Sequence, residues 1–115
     1  AEVEFKQAVT QNPNLVQGYN NLAAALHNQK NYTAALEALR ISEPLAPRYP
    51  GTQNLLGLVH YSRGEFDLSI GHFKKSVQLD PKQPAPYQYL MNIYGVVKND
   101  PDTAMFYAEQ LKSLK

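Results

Sequence analysis

Three histidines, His27, His60 and His72, are the side chains of this 115-residue chain best suited to bind a metal or to move a proton. Two imidazoles chelate well when they lie one helical turn apart, as in an HExxH pair, and none of the three has a partner at that spacing. Asp100 and Asp102 flank Pro101 and could share a proton. An aspartate before a first-turn proline is better read as an N-cap, and the second acid suits the positive pole of the same helix. Ser62-Arg63-Gly64 and Gly71 stand outside any glycine-rich phosphate loop. The chain has no cysteine, which excludes disulfides and thiolate metal sites. Asn31-Tyr32-Thr33 matches a glycosylation sequon but reads more simply as a turn between helices. These residues therefore point to no enzyme, no cofactor and no metal. What recurs instead is carboxamide chemistry. Asn20, Asn54 and Gln88 stand 34 residues apart, and each offers both a donor and an acceptor, the pair an extended peptide backbone needs.

The same step of 34 residues organises the elements that carry these side chains. The stretch from Gln53 to Pro81 reads as two amphipathic helices joined by a tight turn. Leu55, Leu56, Val59 and His60 keep helical spacing, and the first helix ends near Arg63-Gly64. Leu68, Ile70, Phe73 and Val77 follow in the second helix, which stops at Leu79-Asp80-Pro81. Gly57, Ser69 and Ser76 are small where the two helices have to approach closely. Other copies lie on either side: Pro13, Pro47 and Pro81 share one register, as do Leu22, Leu56 and Leu90. So do Tyr19, Gln53 and Tyr87; Ala8, Ser42 and Ser76; and Phe5, Leu39 and Phe73. One such helix pair is too thin to bury a core, so the copies must stack.

Gln53-x2-Leu56-Gly57-x2-His60, then Ser69-x3-Phe73 and Pro81, resembles the tetratricopeptide repeat pattern W-x2-L-G-x2-Y, A-x3-F, P. Tyr19-x2-Leu22-Ala23-x2-Leu26, Ala35-x3-Leu39 and Pro47 form an earlier copy. The resemblance covers essentially the whole chain. It implies an all-α fold, a right-handed superhelical solenoid of antiparallel helix pairs with about three repeats and a preceding half repeat. The expected divisions are 1–13 (the second helix of a truncated repeat), 14–47, 48–81 and 82–115, one domain and a fragment of a larger protein.

In chain order, Ala1–Gln11 matches only the second half of a repeat, which implies a longer parent protein. Asn14–Gln29 is expected to be a helix with Leu15, Tyr19, Leu22, Ala23 and Leu26 inward. Tyr32–Leu45 pairs with it through Ala35, Leu36, Leu39 and Ser42. Pro44–Gly51 has three prolines and is expected to be a rigid linker rather than helix interior. Thr52–Arg63 and Phe66–Leu79 form the central pair. Pro84 opens a helix with Tyr87, Leu90, Met91 and Tyr94, and Asp100-Pro101 opens the last, giving seven helices in all. There Ala104, Ala108 and Leu111 keep the packing spacing one residue late, as if a single residue were inserted near Lys98–Asp102.

In the resembled family the first helices of the pairs line a concave groove and the second helices form the outer wall. That implies a groove built from Gln17, Asn20, Asn21, Ala24, His27 and Asn28, then Asn54, Leu55, Leu58, Tyr61 and Ser62, then Gln88, Tyr89 and Asn92. It also implies that His60 packs in the core and that His72 is solvated on the outer wall. The carboxamide column is similar to the asparagine ladder by which the repeat domain of O-GlcNAc transferase grips peptide main chain. On that reading, alanine at Asn20 or Asn54 should weaken binding and leave the fold unharmed. The basic clamp of chaperone-tail adaptors has no counterpart, because the corresponding places hold Asn20, Ala85 and Tyr89.

The partner implied is a protein or an extended peptide, with an accessory repeat region of a larger enzyme such as a transferase as the competing class. The net charge of +1, with no lysine or arginine among the groove residues, argues against nucleic acid. No apolar run is long enough for a membrane span. Self-association is expected through the helices carrying Phe5 and Leu111, each of which lacks its next neighbour.

Overall fold

The structure is a computed structural model, and it describes residues 13–114. Among these residues there are six α-helices and one π-helical segment, and no strand. The helices are α1 (Pro13–Asn28), α2 (Tyr32–Leu45), α3 (Pro50–Ser62), α4 (Phe66–Leu79), α5 (Pro84–Asn92) and α6 (Pro101–Lys112), with the π-helical segment at Ile93–Val97 between α5 and α6. The helix expected over Ala1–Gln11, and Phe5 with it, lies outside the described residues. Pairs α1–α2, α3–α4 and α5–α6 pack most extensively, and α2–α3 and α4–α5 join one pair to the next. This is the stack of three helical hairpins expected from the 34-residue step.

Each hairpin is built around a turn with the same logic. Lys30, Gly64 and Asn99 take positive φ values of 63°, 77° and 52° and reverse the chain. The next residue then serves as the N-cap of the second helix. Asn31 Oδ1 accepts from Ala34 N in the first turn, so the sequon is indeed a helix junction. Asp100 does the same for α6, accepting from Thr103 N at 3.2 Å and Thr103 Oγ1 at 2.6 Å. Those bonds hold the Asp100 carboxyl below its ordinary value.

The linker expected over Pro44–Gly51 is much shorter. Pro44 sits in the last turn of α2 and Pro50 opens α3, so both helices extend into it. Proline suits a first helical position because the N–H it lacks would be unpaired there anyway. At the other end, Ala46 N bonds back to Ser42 O and Glu43 O, which completes the turn around Pro44.

The displaced register of the last repeat has its cause upstream of Lys98–Asp102, where the insertion was expected. Asn31 N bonds Leu26 O and Glu65 N bonds His60 O, each five residues back, whereas Asp100 N reaches Tyr94 O, six back. Leu26, His60 and Tyr94 keep the 34-residue step, so the extra residue falls after Tyr94, inside Ile93–Val97. A π-helical turn absorbs one residue without breaking the helix.

Apolar burial is divided into two clusters. Ala23, Ala35, Leu36, Ala38, Leu39, Leu56 and Val59 make an aliphatic core between α1, α2 and α3. Ile70, Phe73, Tyr87, Leu90, Ile93 and Tyr107 make an aromatic-rich core between α4, α5, the π-helical segment and α6. The close approach expected at Gly57 is present: a methyl group placed there would lie 2.8 Å from Phe73 Cε1 and Cζ. Ser69 Oγ also donates to Gly57 O at 2.8 Å, fixing the crossing. Leu22, expected inward, is 49% exposed, while its equivalents Leu56 and Leu90 are 5% and 0% exposed. Each of those two has a hairpin packed N-terminal to it among the described residues, and Leu22 has none. Leu68 is likewise exposed on the outer wall.

Candidate interaction face

The residues expected on the groove come from α1, α3 and α5, and side chains tie these helices together across that face. His27 Nε2 meets Ser62 Oγ at 2.7 Å, joining α1 to the end of α3. Asn92 Nδ2 donates to Tyr61 OH at 2.7 Å, joining α5 to α3. Tyr61 stands edge-on to Tyr89 at 5.1 Å and to Phe66 at 5.6 Å, and Tyr89 stacks on Phe73 at 4.9 Å. Tyr61, Tyr89 and Asn92 therefore form one aromatic-and-amide cluster whose inner side rests on the second core. Leu55 backs onto the first core and Leu58 onto the second. Gln17, Asn21, Asn28, Ser62, Gln88 and Asn92 are exposed, and Ala24 and His27 are half-buried. None of them carries a formal charge at neutral pH.

The carboxamide column departs from expectation in two of its three places. Asn20 is 5% exposed, with Nδ2 donating to Thr52 Oγ1 at 2.9 Å and Oδ1 accepting from Ser42 Oγ at 2.9 Å. It ties α1 to both α2 and α3. Asn54 repeats the arrangement one step on: Nδ2 donates to Gln83 Oε1 at 2.6 Å and Oδ1 accepts from Ser76 Oγ at 2.5 Å. Gln83 Nε2 also reaches Ser76 Oγ and the Ser76 and Asp80 carbonyls. These amides spend their hydrogen bonds inside the stack. Gln88 alone is exposed, because the place of Ser42 and Ser76 in the last hairpin, allowing for the extra residue, is held by Leu111, which can donate nothing. The signal was available in the chain, since Ser42 and Ser76 share the 34-residue step with Asn20 and Asn54. A polar residue recurring beside another polar residue at a fixed period marks a pair.

A second polar chain was not anticipated. Gln53 is wholly buried, donating from Nε2 to Glu43 Oε2 at 2.8 Å while its Oε1 meets His72 Nδ1 at 2.8 Å. His72 is thus half-buried against α3 rather than solvated on the outer wall. Its ring stacks on His60 at 5.5 Å, only 3° from parallel. His60 Nδ1 meets Glu65 Oε1 at 2.9 Å, and Arg63 Nε lies 3.1 Å from the same oxygen. The bond from His60 is the main reason the Glu65 carboxyl is held below its ordinary value. Gln53 stands where repeats commonly place a large aromatic, and polarity there is legible only once its partners are known.

Among the described residues there is no group of three or more histidines and carboxylates placed to hold a metal ion, and no helix long and apolar enough to cross a membrane.

Comparison with known proteins agrees with this architecture. A family profile described as tetratricopeptide repeat matches residues 4–37. A TPR repeat-containing protein of Methanocaldococcus jannaschii is 35% identical over 75 residues, 65% of this chain and 13% of that protein. A crystal structure of MamA superposes with a TM-score of 0.82 at 27% identity, covering 86% of this chain and 57% of that one. A second MamA structure, residues 41 to the end from Desulfovibrio magneticus RS-1, gives a TM-score of 0.80 at 26% identity over 98% of this chain and 63% of that one. The chain thus spans less than two thirds of each of these relatives.

Proposed function

Because the chain belongs to the tetratricopeptide repeat family, we propose that it is a protein-interaction scaffold that grips an extended peptide on the face formed by α1, α3 and α5. The observation that carries this reading is the cluster of Tyr61, Tyr89 and Asn92. It presents aromatic surface and an exposed amide on helices already cross-tied to their neighbours. Rigid aromatic side chains lose little conformational freedom on binding, and a carboxamide can satisfy both halves of a peptide group. With no charge on the face, affinity should be tolerant of ligand sequence and nearly independent of salt. Holding a partner needs no catalytic group, and we read the chain as a binding element rather than an enzyme.

The test is a peptide array followed by titration of a binding peptide against the intact chain, Asn92→Ala and Gln17→Ala. Each lost hydrogen bond should cost about 0.5–1.5 kcal/mol of affinity. Asn92 is exposed and gives up one surface hydrogen bond to Tyr61 OH, so its alanine variant should melt within a few degrees of the parent. Unchanged affinity in both variants would remove the peptide-binding reading of this face.

A further inference from the structure

The stacked histidines, His60 of α3 and His72 of α4, have a defined protonation state. The Glu43 carboxylate can only accept, so Gln53 must point Nε2 at it and Oε1 at His72. His72 Nδ1 must then carry the proton and donate. His60 Nδ1 faces the Glu65 carboxylate and must donate as well. Both rings are therefore held with Nδ1 protonated, and each can take a further proton only at Nε2. In the charged form His60 keeps its Nδ1–H on the Glu65 carboxylate as an ion pair. His72 has only the neutral carbonyl of Gln53 against its Nδ1, and its other neighbour is the parallel His60 ring at 5.5 Å. Two imidazolium rings stacked at that distance repel across a partly buried seam.

We propose that the His60–His72 stack is an acid-sensitive clasp. Two neutral rings close the seam between α3 and α4 at the joint with α2, and charging both forces the rings apart and loosens α4. The groups facing the pair are Glu43 from α2, Gln53 from α3, Arg63 and Glu65 from the turn, and Lys75 from α4. Burial, with His60 and Lys75 acting in the same direction and Glu43 against them, holds His72 below the ordinary imidazole value. The unfolded chain then binds more protons than the folded one just beneath that value. Stability is complete above the ordinary imidazole range and is lost as pH falls through it towards the folded value. Asp and Glu titrate lower, so the window from about pH 7 to about pH 5 isolates the histidines.

The experiment follows the three histidines of the intact chain by long-range proton–nitrogen NMR and melts the same protein at about pH 7.5 and about pH 5. His72 should appear as the Nδ1–H tautomer and titrate below a free imidazole. The parent should lose several degrees of melting temperature on acidification, and His60→Gln and His72→Gln should lose much less. Equal melting temperatures at the two pH values, the same loss in both clasp variants, or a His72 titration at or above that of free imidazole would each overturn the proposal. If His72→Gln fails to fold, His60→Gln and the titration of the parent decide it.

Discussion

At the scale of single residues, the two asparagines of the column and its glutamine have become different objects. Asn20 and Asn54 are each bonded to a serine on the following helix and to a polar group at the start of the next hairpin. Removing Asn20 takes the amide from buried Thr52 Oγ1 and leaves Ser42 Oγ only the Leu39 carbonyl at 3.3 Å, and a lost buried partner costs more than a helix former returns. We expect Asn20→Ala to lose about 1–3 kcal/mol in urea denaturation. Gln88→Ala, at an exposed site of the same column, should stay within about 0.5 kcal/mol of the parent. This reverses the expectation that alanine at Asn20 is harmless. Periodicity could show that these amides are equivalent. It could not show which way they point, because a carboxamide is as much at home in a groove as in a hydrogen-bonded joint.

At the scale of elements, helix boundaries were legible wherever a residue type forces the backbone. Asp100 caps, Pro84 begins a helix and Gly64 ends one, as their chemistry requires. The reading failed where one helix type was exchanged for another, since nothing in Ile93-Tyr-Gly-Val-Val97 distinguishes a π-helical turn from an α-helical one. Val96, 76% exposed within the π-helical turn, is the natural candidate for the extra residue. A chain lacking Val96 should fold with a regular α5. Its Asp100 amide should then bond five residues back, as Asn31 and Glu65 do. Hydrogen exchange and chemical shifts over the turn would check this, and wholesale loss of the α6 signals would show that the inserted turn is required to seat α6.

At the scale of the whole molecule, the two apolar clusters share α3, which gives Leu56 and Val59 to one and Leu58 and Tyr61 to the other. Substitutions in different clusters should act independently. Val59→Ala combined with Ile93→Val should cost the sum of the single changes to within about 0.5 kcal/mol, measured by denaturation of all four proteins. The stacked architecture was readable in advance because it follows from a repeated period. The division into an aliphatic and an aromatic core was not, because it depends on which neighbour each side chain meets. The serine-linked asparagines have one more consequence. Apolar seams tolerate sliding, but hydrogen bonds of fixed length at Asn20 and Asn54 lock the angle between successive hairpins. The face they back is therefore a ruler with set graduations. On the proposed peptide-binding reading, a ligand would have to match its pitch as well as its chemistry, and a chain of the right composition but the wrong stride would be turned away.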